Sequence, residues 1–178
     1  LPYASELTLQ NVLDLEKIIQ WNEDQGIKFY RMSSDIAPWH SEYEMEELPD
    51  FEQIAASLAR SGELARKYGQ RLTFHPGPFN KLTSPKPHVV MNTITDLENH
   101  GKIMDMLGMP RSPYAKINIH VGAHYNNKPM AVDNFCRNFE RLSDAVKTRL
   151  TVENDDKASL YSTKELYDDI YKRIGITI

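Results

Sequence analysis

Three short stretches of this sequence end on a residue that can bind a metal ion. In "RLTFH" (Arg71–His75), "KINIH" (Lys116–His120) and "RLTVE" (Arg149–Glu153), apolar and polar residues alternate up to a final His, His or Glu. Side chains along a strand alternate between faces with a period of two. Thr73 therefore shares a face with His75, Asn118 with His120, and Thr151 with Glu153. Leu72, Phe74, Ile117, Ile119, Leu150 and Val152 take the opposite faces. Imidazole and carboxylate together suit zinc, manganese or iron. A strand covered by helices on both sides reads apolar throughout, so these polar faces imply a polar, hydrated centre. Taken singly, each residue also has an ordinary reading, as a satisfied core histidine or a loop-capping glutamate. Three of them in phase favour one site, with His75, His120 and Glu153 as metal ligands and catalytic residues.

Other polar residues rank below these. His124 follows His120 by four residues, a ligand spacing on a helix but not across a strand-to-loop junction, so it reads as a loop residue beside the ligands. His40, His88 and His100 fall in loop or helix context and are expected to be solvent-exposed. Asp155 and Asp156, just after Glu153, suit ligand orientation or a cap on the next segment. Ser33, Ser34 and Asp35 close the "IKFYRM" strand, with Arg31 placed to meet an anionic substrate or an internal ion pair.

The elements that must position these residues alternate regularly. Leu9–Gln20 carries Val12, Leu15, Ile18 and Ile19 at helical spacing, and Gly26 ends it before the strand Ile27–Met32. Asp50 reads as the cap of a helix that Gly69 closes. There follow a strand at Arg71–His75, a helix over Lys86–Leu107 and a strand at Ala115–Val121. A helix over Met130–Val146, a strand at Arg149–Glu153 and a helix over Lys164–Ile174 capped by Thr163 come next, and "GITI" opens a fifth strand. Alternation of this kind means βαβ units and a parallel sheet. A doubly wound dinucleotide fold needs a G-x-G-x-x-G turn, which does not occur here. The remaining architecture is the (β/α)8 TIM barrel. A complete one takes about 250 residues, so the 178 present suit a single partial barrel domain, 1–178, with about five parallel strands. The opening Leu1 and the β-branched ending read as cuts from a longer chain, truncated at both ends.

Composition narrows the classes further. With 40% hydrophobic residues the chain can bury a real core. A net charge of -4 argues against a purely electrostatic nucleic-acid binder, although not against a local basic rim. The single cysteine, Cys136, excludes an internal disulfide framework and a cysteine-based zinc site, which favours an intracellular setting, cytoplasmic or nuclear. No run approaches the ~20 apolar residues of a membrane span, and no signal peptide is visible.

In order along the chain, "FYRMSSDIAPW", "QRLTFHPGPF", "INIHVGAHYNNK" and "LTVENDD" resemble the UV-damage endonuclease (UvdE) family. The family consists of metal-dependent (β/α)8 barrels related to the endonuclease IV class of abasic-site nucleases. The resemblance implies that His75 and His120 bind one divalent ion and that Glu153 bridges it to a second. It also implies a cluster of up to three ions, manganese foremost, with zinc or iron as alternatives. The implied reaction is phosphodiester hydrolysis on the 5′ side of a UV photoproduct or related lesion in duplex DNA. Family members carry Gln and then Tyr or Phe after "HPG" to probe the damaged pair, where this chain has Pro78–Phe79. Phe79 can stack or wedge, whereas Pro78 offers no amide. Tyr125 and Lys128 match positions near the DNA, with Lys128 suited to a phosphate, and Lys81 and Lys86 read similarly. Further ligands and an active-site lysine of the family have no counterpart among these residues, so this stretch is expected to be inactive alone and its open sheet edges to be covered by oligomerisation. Two rival readings remain. One is another metal-dependent barrel, an abasic-site nuclease or a xylose-isomerase-like sugar isomerase, and the other is a non-catalytic module whose polar strand ends are structural.

Overall fold

The computed structural model describes every residue from Leu1 to Ile178. Four strands form its sheet: β1 (Phe29–Met32), β2 (Arg71–Phe74), β3 (Ile117–His120) and β4 (Leu150–Glu153). Their order is β1-β2-β3-β4 and every pairing is parallel. Parallel neighbours need a crossover, and a helix supplies each one. A doubly wound sheet reverses its strand order at a switch point and carries helices on both faces. Here the order never reverses. The face bearing Leu72, Phe74, Ile117, Ile119, Leu150 and Val152 is buried under the helices. On the other face Phe29 and Arg31 are exposed, and His75, Asn118, His120 and Glu153 are part-exposed. This is the sequential, one-sided curl of an incomplete (β/α) barrel. The "GITI" run contributes one bridge, Thr177 to Thr151, beside β4 rather than a full fifth strand.

Helix α1 (Pro2–Asp24) is longer than its apolar spacing suggested. Its first turns are polar yet buried: the Thr8 hydroxyl donates to the Ala4 carbonyl at 2.7 Å, and Ser5 donates to Asp50 at 2.8 Å. Satisfied in this way, Ser5 and Thr8 extend the stripe that Val12, Leu15 and Ile19 press against α2 (Phe51–Tyr68). Helix α2 ends at Gly69, whose φ of 63° is left-handed and open to glycine at no steric cost. Within α2, Gly62 lies so close to the end of α3 (Pro87–Met106) that an added Cβ would sit 1.7 Å from the Leu107 carbonyl oxygen.

The helix expected over 130–146 is divided into α4 (Lys128–Phe139) and α5 (Asp144–Lys147). The break falls at Ser143, whose amide and hydroxyl both donate to the Glu98 carboxylate, at 2.7 and 2.6 Å. The last helix comes in three pieces: α6 (Thr163–Glu165), a π-helical stretch (Leu166–Tyr171) and α7 (Lys172–Ile174). Its cap is Ser162 rather than Thr163, through a reciprocal capping box with Glu165. Arg149, ahead of β4, is fully buried and donates to the carbonyls of Gly101, Met109, Pro110 and Ala145. An ion pair with Asp105 at 2.9 Å completes its surroundings. No helix is long and apolar enough to cross a membrane.

Candidate metal centre

The strand register brings the three leading residues together. His120 and Glu153 are direct partners across β3 and β4, and His120 Nε2 lies 3.0 Å from Glu153 Oε1. His75 follows the last residue of β2, and its Nε2 reaches the same oxygen at 2.7 Å. One donor atom from each residue lies within 4.8 Å of the other two. Below them Thr151 donates to the Asn118 side chain at 2.6 Å, so the inner face is hydrogen-bonded rather than hydrophobic. Partial burial works against the charge of Glu153. The hydrogen bonds from His75 and Asn118, with the charge of the two imidazoles, nevertheless hold its carboxyl below the usual range.

The surroundings fit a divalent cation. His120 Nδ1 and Asp155 Oδ2 are buried without a hydrogen-bond partner, and His120 Nδ1 stands 3.5 Å from Asp155 Oδ1. A carboxylate behind the outer nitrogen of an imidazole is the arrangement that fixes a ligating histidine's tautomer and orientation. Burial, with the carboxylates of Asp156 and Glu153 nearby, pushes the Asp155 carboxyl up although His120 opposes it. The same surroundings raise the Tyr161 hydroxyl, first by burial and then by Asp155 and Glu165, to about 12. A cleft of about 610 Å³ opens onto His75, His120 and Asp155, wide enough for a charged ligand.

The residues expected on the DNA side divide into two groups. Pro78 and Phe79 project from the turn after His75, with Phe79 86% exposed. Tyr125 is exposed as well and holds a left-handed φ of 48°, uncommon for an aromatic residue. Lys128 is placed differently. Its ammonium sits 2.5 Å from both the Leu160 carbonyl and Glu165 Oε1, tying the start of α4 to α6. His124 accepts from the Asn126 amide at 3.1 Å and stays in its loop, while Asp156 is exposed. Arg31 is exposed and Lys81 half-buried.

Two histidines depart from expectation. His88 is exposed as expected, but His40 and His100 are buried, at 4% and 0% exposure. His100 lies on the inward side of α3, where Phe74 and His40 meet its ring edge-on. His40 is drawn in by Asn99, whose amide donates to the His40 and Tyr43 carbonyls at 2.7 Å each. With Asp96 they form a second group of three possible ligands. The spacing of Asp96 and His100, one helical turn apart, is a local signal for a pair that the expectation of an exposed His100 passed over, whereas nothing local marks His40 as their partner.

A family model described as UV-endonuclease UvdE matches residues 3–172. The UV-damage endonuclease of Schizosaccharomyces pombe is 40% identical over 155 residues, which are 86% of this chain and 26% of that protein. The UV DNA damage endonuclease of Bacillus mycoides is 40% identical over 160 residues, 89% of this chain and 49% of the relative. The crystal structure of SacUVDE superposes with a TM-score of 0.84 at 31% identity, covering 96% of this chain and 56% of that one. The chain thus spans between about a quarter and a half of the curated relatives it matches.

Proposed function

The chain belongs to the UV-endonuclease UvdE family, and from that premise we propose that it forms part of a DNA-repair endonuclease that hydrolyses a phosphodiester on the 5′ side of a UV photoproduct or related lesion. The observation that carries this reading is the convergence of His75, His120 and Glu153 at consecutive strand ends, within 4.8 Å of one another. Barrel enzymes place their reacting groups at that end of the strands.

In this proposal the three residues hold a divalent ion, manganese first, with zinc and iron also suited to the donors. Such an ion, when bound, neutralises charge on the phosphoryl oxygens and acidifies a water. Glu153 acts as a ligand rather than a free base, since both imidazoles already converge on its Oε1. Asp155 holds the His120 ring in register from behind. Phe79, with Pro78 beside it, meets the distorted duplex by stacking or wedging, and Tyr125 lies along the same rim. Lys128 reaches a phosphate only by leaving Glu165. Ligands beyond these three, up to a cluster of three ions, come from parts of the protein outside this single partial barrel, which by itself is inactive. The exposed Phe29 on edge strand β1 is covered there, or by a second copy. The setting is that of the DNA, cytoplasmic or nuclear.

The test is incision of UV-irradiated plasmid by the protein at the length its curated relatives have. Metal-dependent nicking of irradiated but not intact DNA, lost in Glu153→Ala, is expected. Equal nicking of both substrates, or full activity in Glu153→Ala, would overturn the proposal.

A further inference from the structure

The geometry points to a second cation site, formed by His40, Asp96 and His100, that takes a divalent first-row transition ion such as zinc. It shares no residue with the strand-end group. His40 Nε2 lies 2.6 Å from Asp96 Oδ1, and the His40 and His100 rings meet edge-on with centroids 4.6 Å apart. One donor from each residue falls within 4.8 Å of the other two. Two imidazoles and one carboxylate make a ligand set that binds zinc or iron and leaves further positions open.

Unsatisfied atoms carry the argument further. Buried polar groups almost always find a partner, yet His40 Nδ1, Asp96 Oδ2 and His100 Nε2 are all buried without one. His100 Nδ1 donates to the Asp96 backbone carbonyl at 2.8 Å, which leaves Nε2 as a bare lone pair. A buried His–carboxylate–His network complete in itself would not strand one atom on each member. The side chains of His40 and His100 are 5% and 0% exposed, so the Asp96 carboxylate lies between two enclosed imidazoles.

The site is also preorganised and reachable. Asn99 fixes the His40 and Tyr43 backbone, while Phe74 and His40 flank the His100 ring, so the donors are held before any ion arrives. A cleft of about 490 Å³, lined by His40, Asp96, Asp35 and Ser34 among others, gives entry and room for a water ligand. Gly77, Asn80 and Lys81 line both this cleft and the one at the strand ends, so the turn after His75 separates the two sites. An ion here would clamp the loop after β1 onto α3.

Cobalt(II) is the probe, added to a His75→Ala/His120→Ala variant in which the strand-end group cannot contribute. One equivalent bound, with visible absorption bands of nitrogen-ligated cobalt that zinc abolishes, is expected. Asp96→Asn and His40→Gln in that background should each weaken binding by more than the about 10–100-fold that loss of an outer-sphere partner costs. A folded parent variant, verified by circular dichroism, that binds no cobalt overturns the site even if neither further substitution folds. Unchanged affinity in folded Asp96→Asn or His40→Gln overturns it too. Because the strand-end group is absent from every sample, neither result bears on the proposed endonuclease.

Discussion

Asp155 illustrates how a residue outside the ligand set is expected to act. It stands behind His120, with 3.5 Å between Asp155 Oδ1 and His120 Nδ1, and in the proposed site it would orient the ring that faces Glu153. Asp155→Asn should lower metal affinity by about 10–100-fold without abolishing binding, as measured by competition with a chromophoric chelator. An unchanged affinity would reduce Asp155 to a loop residue. Acid should act through the other histidine group. Burial holds His40 below its ordinary value, assisted by His100 and opposed by Asp96. Burial opposes the charge of Asp96 as well, but the His100 and His40 imidazoles beside it keep the carboxyl well below the usual range. At both residues the unfolded chain binds more protons than the folded one, so stability rises with pH through their titration ranges. The contribution of His40 is therefore fully present above about pH 6.5 and declines as the pH falls. That of Asp96 holds until the usual carboxylate range and is lost below it. In chelator, the urea midpoint should drop from pH 7.5 to pH 5, and His40→Asn should flatten that drop. A midpoint insensitive to pH would contradict the assignment.

At the scale of elements, close backbone approach and buried cationic structure set the tolerances. Gly62→Ala would drive a methyl into the Leu107 carbonyl, so a loss of about 1–3 kcal/mol or more is expected in urea denaturation. Arg149→Ala would remove the guanidinium that four carbonyls share, while Asp105 keeps its pair with Arg111, so a loss of about 1–3 kcal/mol is expected in the same measurement. These elements were legible in sequence to different degrees. The strand ends at His75, His120 and Glu153 were visible because a two-residue alternation survives in any strand whose inner face is wet. The start of α1 was hidden, since Ser5 and Thr8 read as polar until Asp50 and the Ala4 carbonyl are seen to satisfy them. The break before α5 depends on Glu98, 45 residues away from Ser143, a contact no local pattern carries. The burial of His40 likewise depends on Asn99, 59 residues distant. Lys128 looked free because its partner Glu165 lies on a later helix.

For the molecule as a whole, an exposed aromatic on an acidic protein defines how DNA binding should behave. With a net charge of -4, attraction to the duplex must come from a local rim and from bound cations. Affinity for damaged duplex should fall with salt, about 0.9 in log affinity per log unit for each phosphate neutralised. Phe79→Ala should cost about 1–3 kcal/mol of that affinity if the ring stacks on a base, read by fluorescence anisotropy, while Lys128→Ala should cost stability first. A sugar isomerase would show neither the salt slope nor the Phe79 effect. All of this rests on one claim, that His75, His120 and Glu153 hold a divalent ion. The most direct measurement is elemental analysis of the purified chain beside His75→Ala/His120→Ala. The account predicts one equivalent of manganese, zinc or iron per chain that disappears in the variant, whatever the His40 site retains. The same metal content in both folded proteins would contradict it.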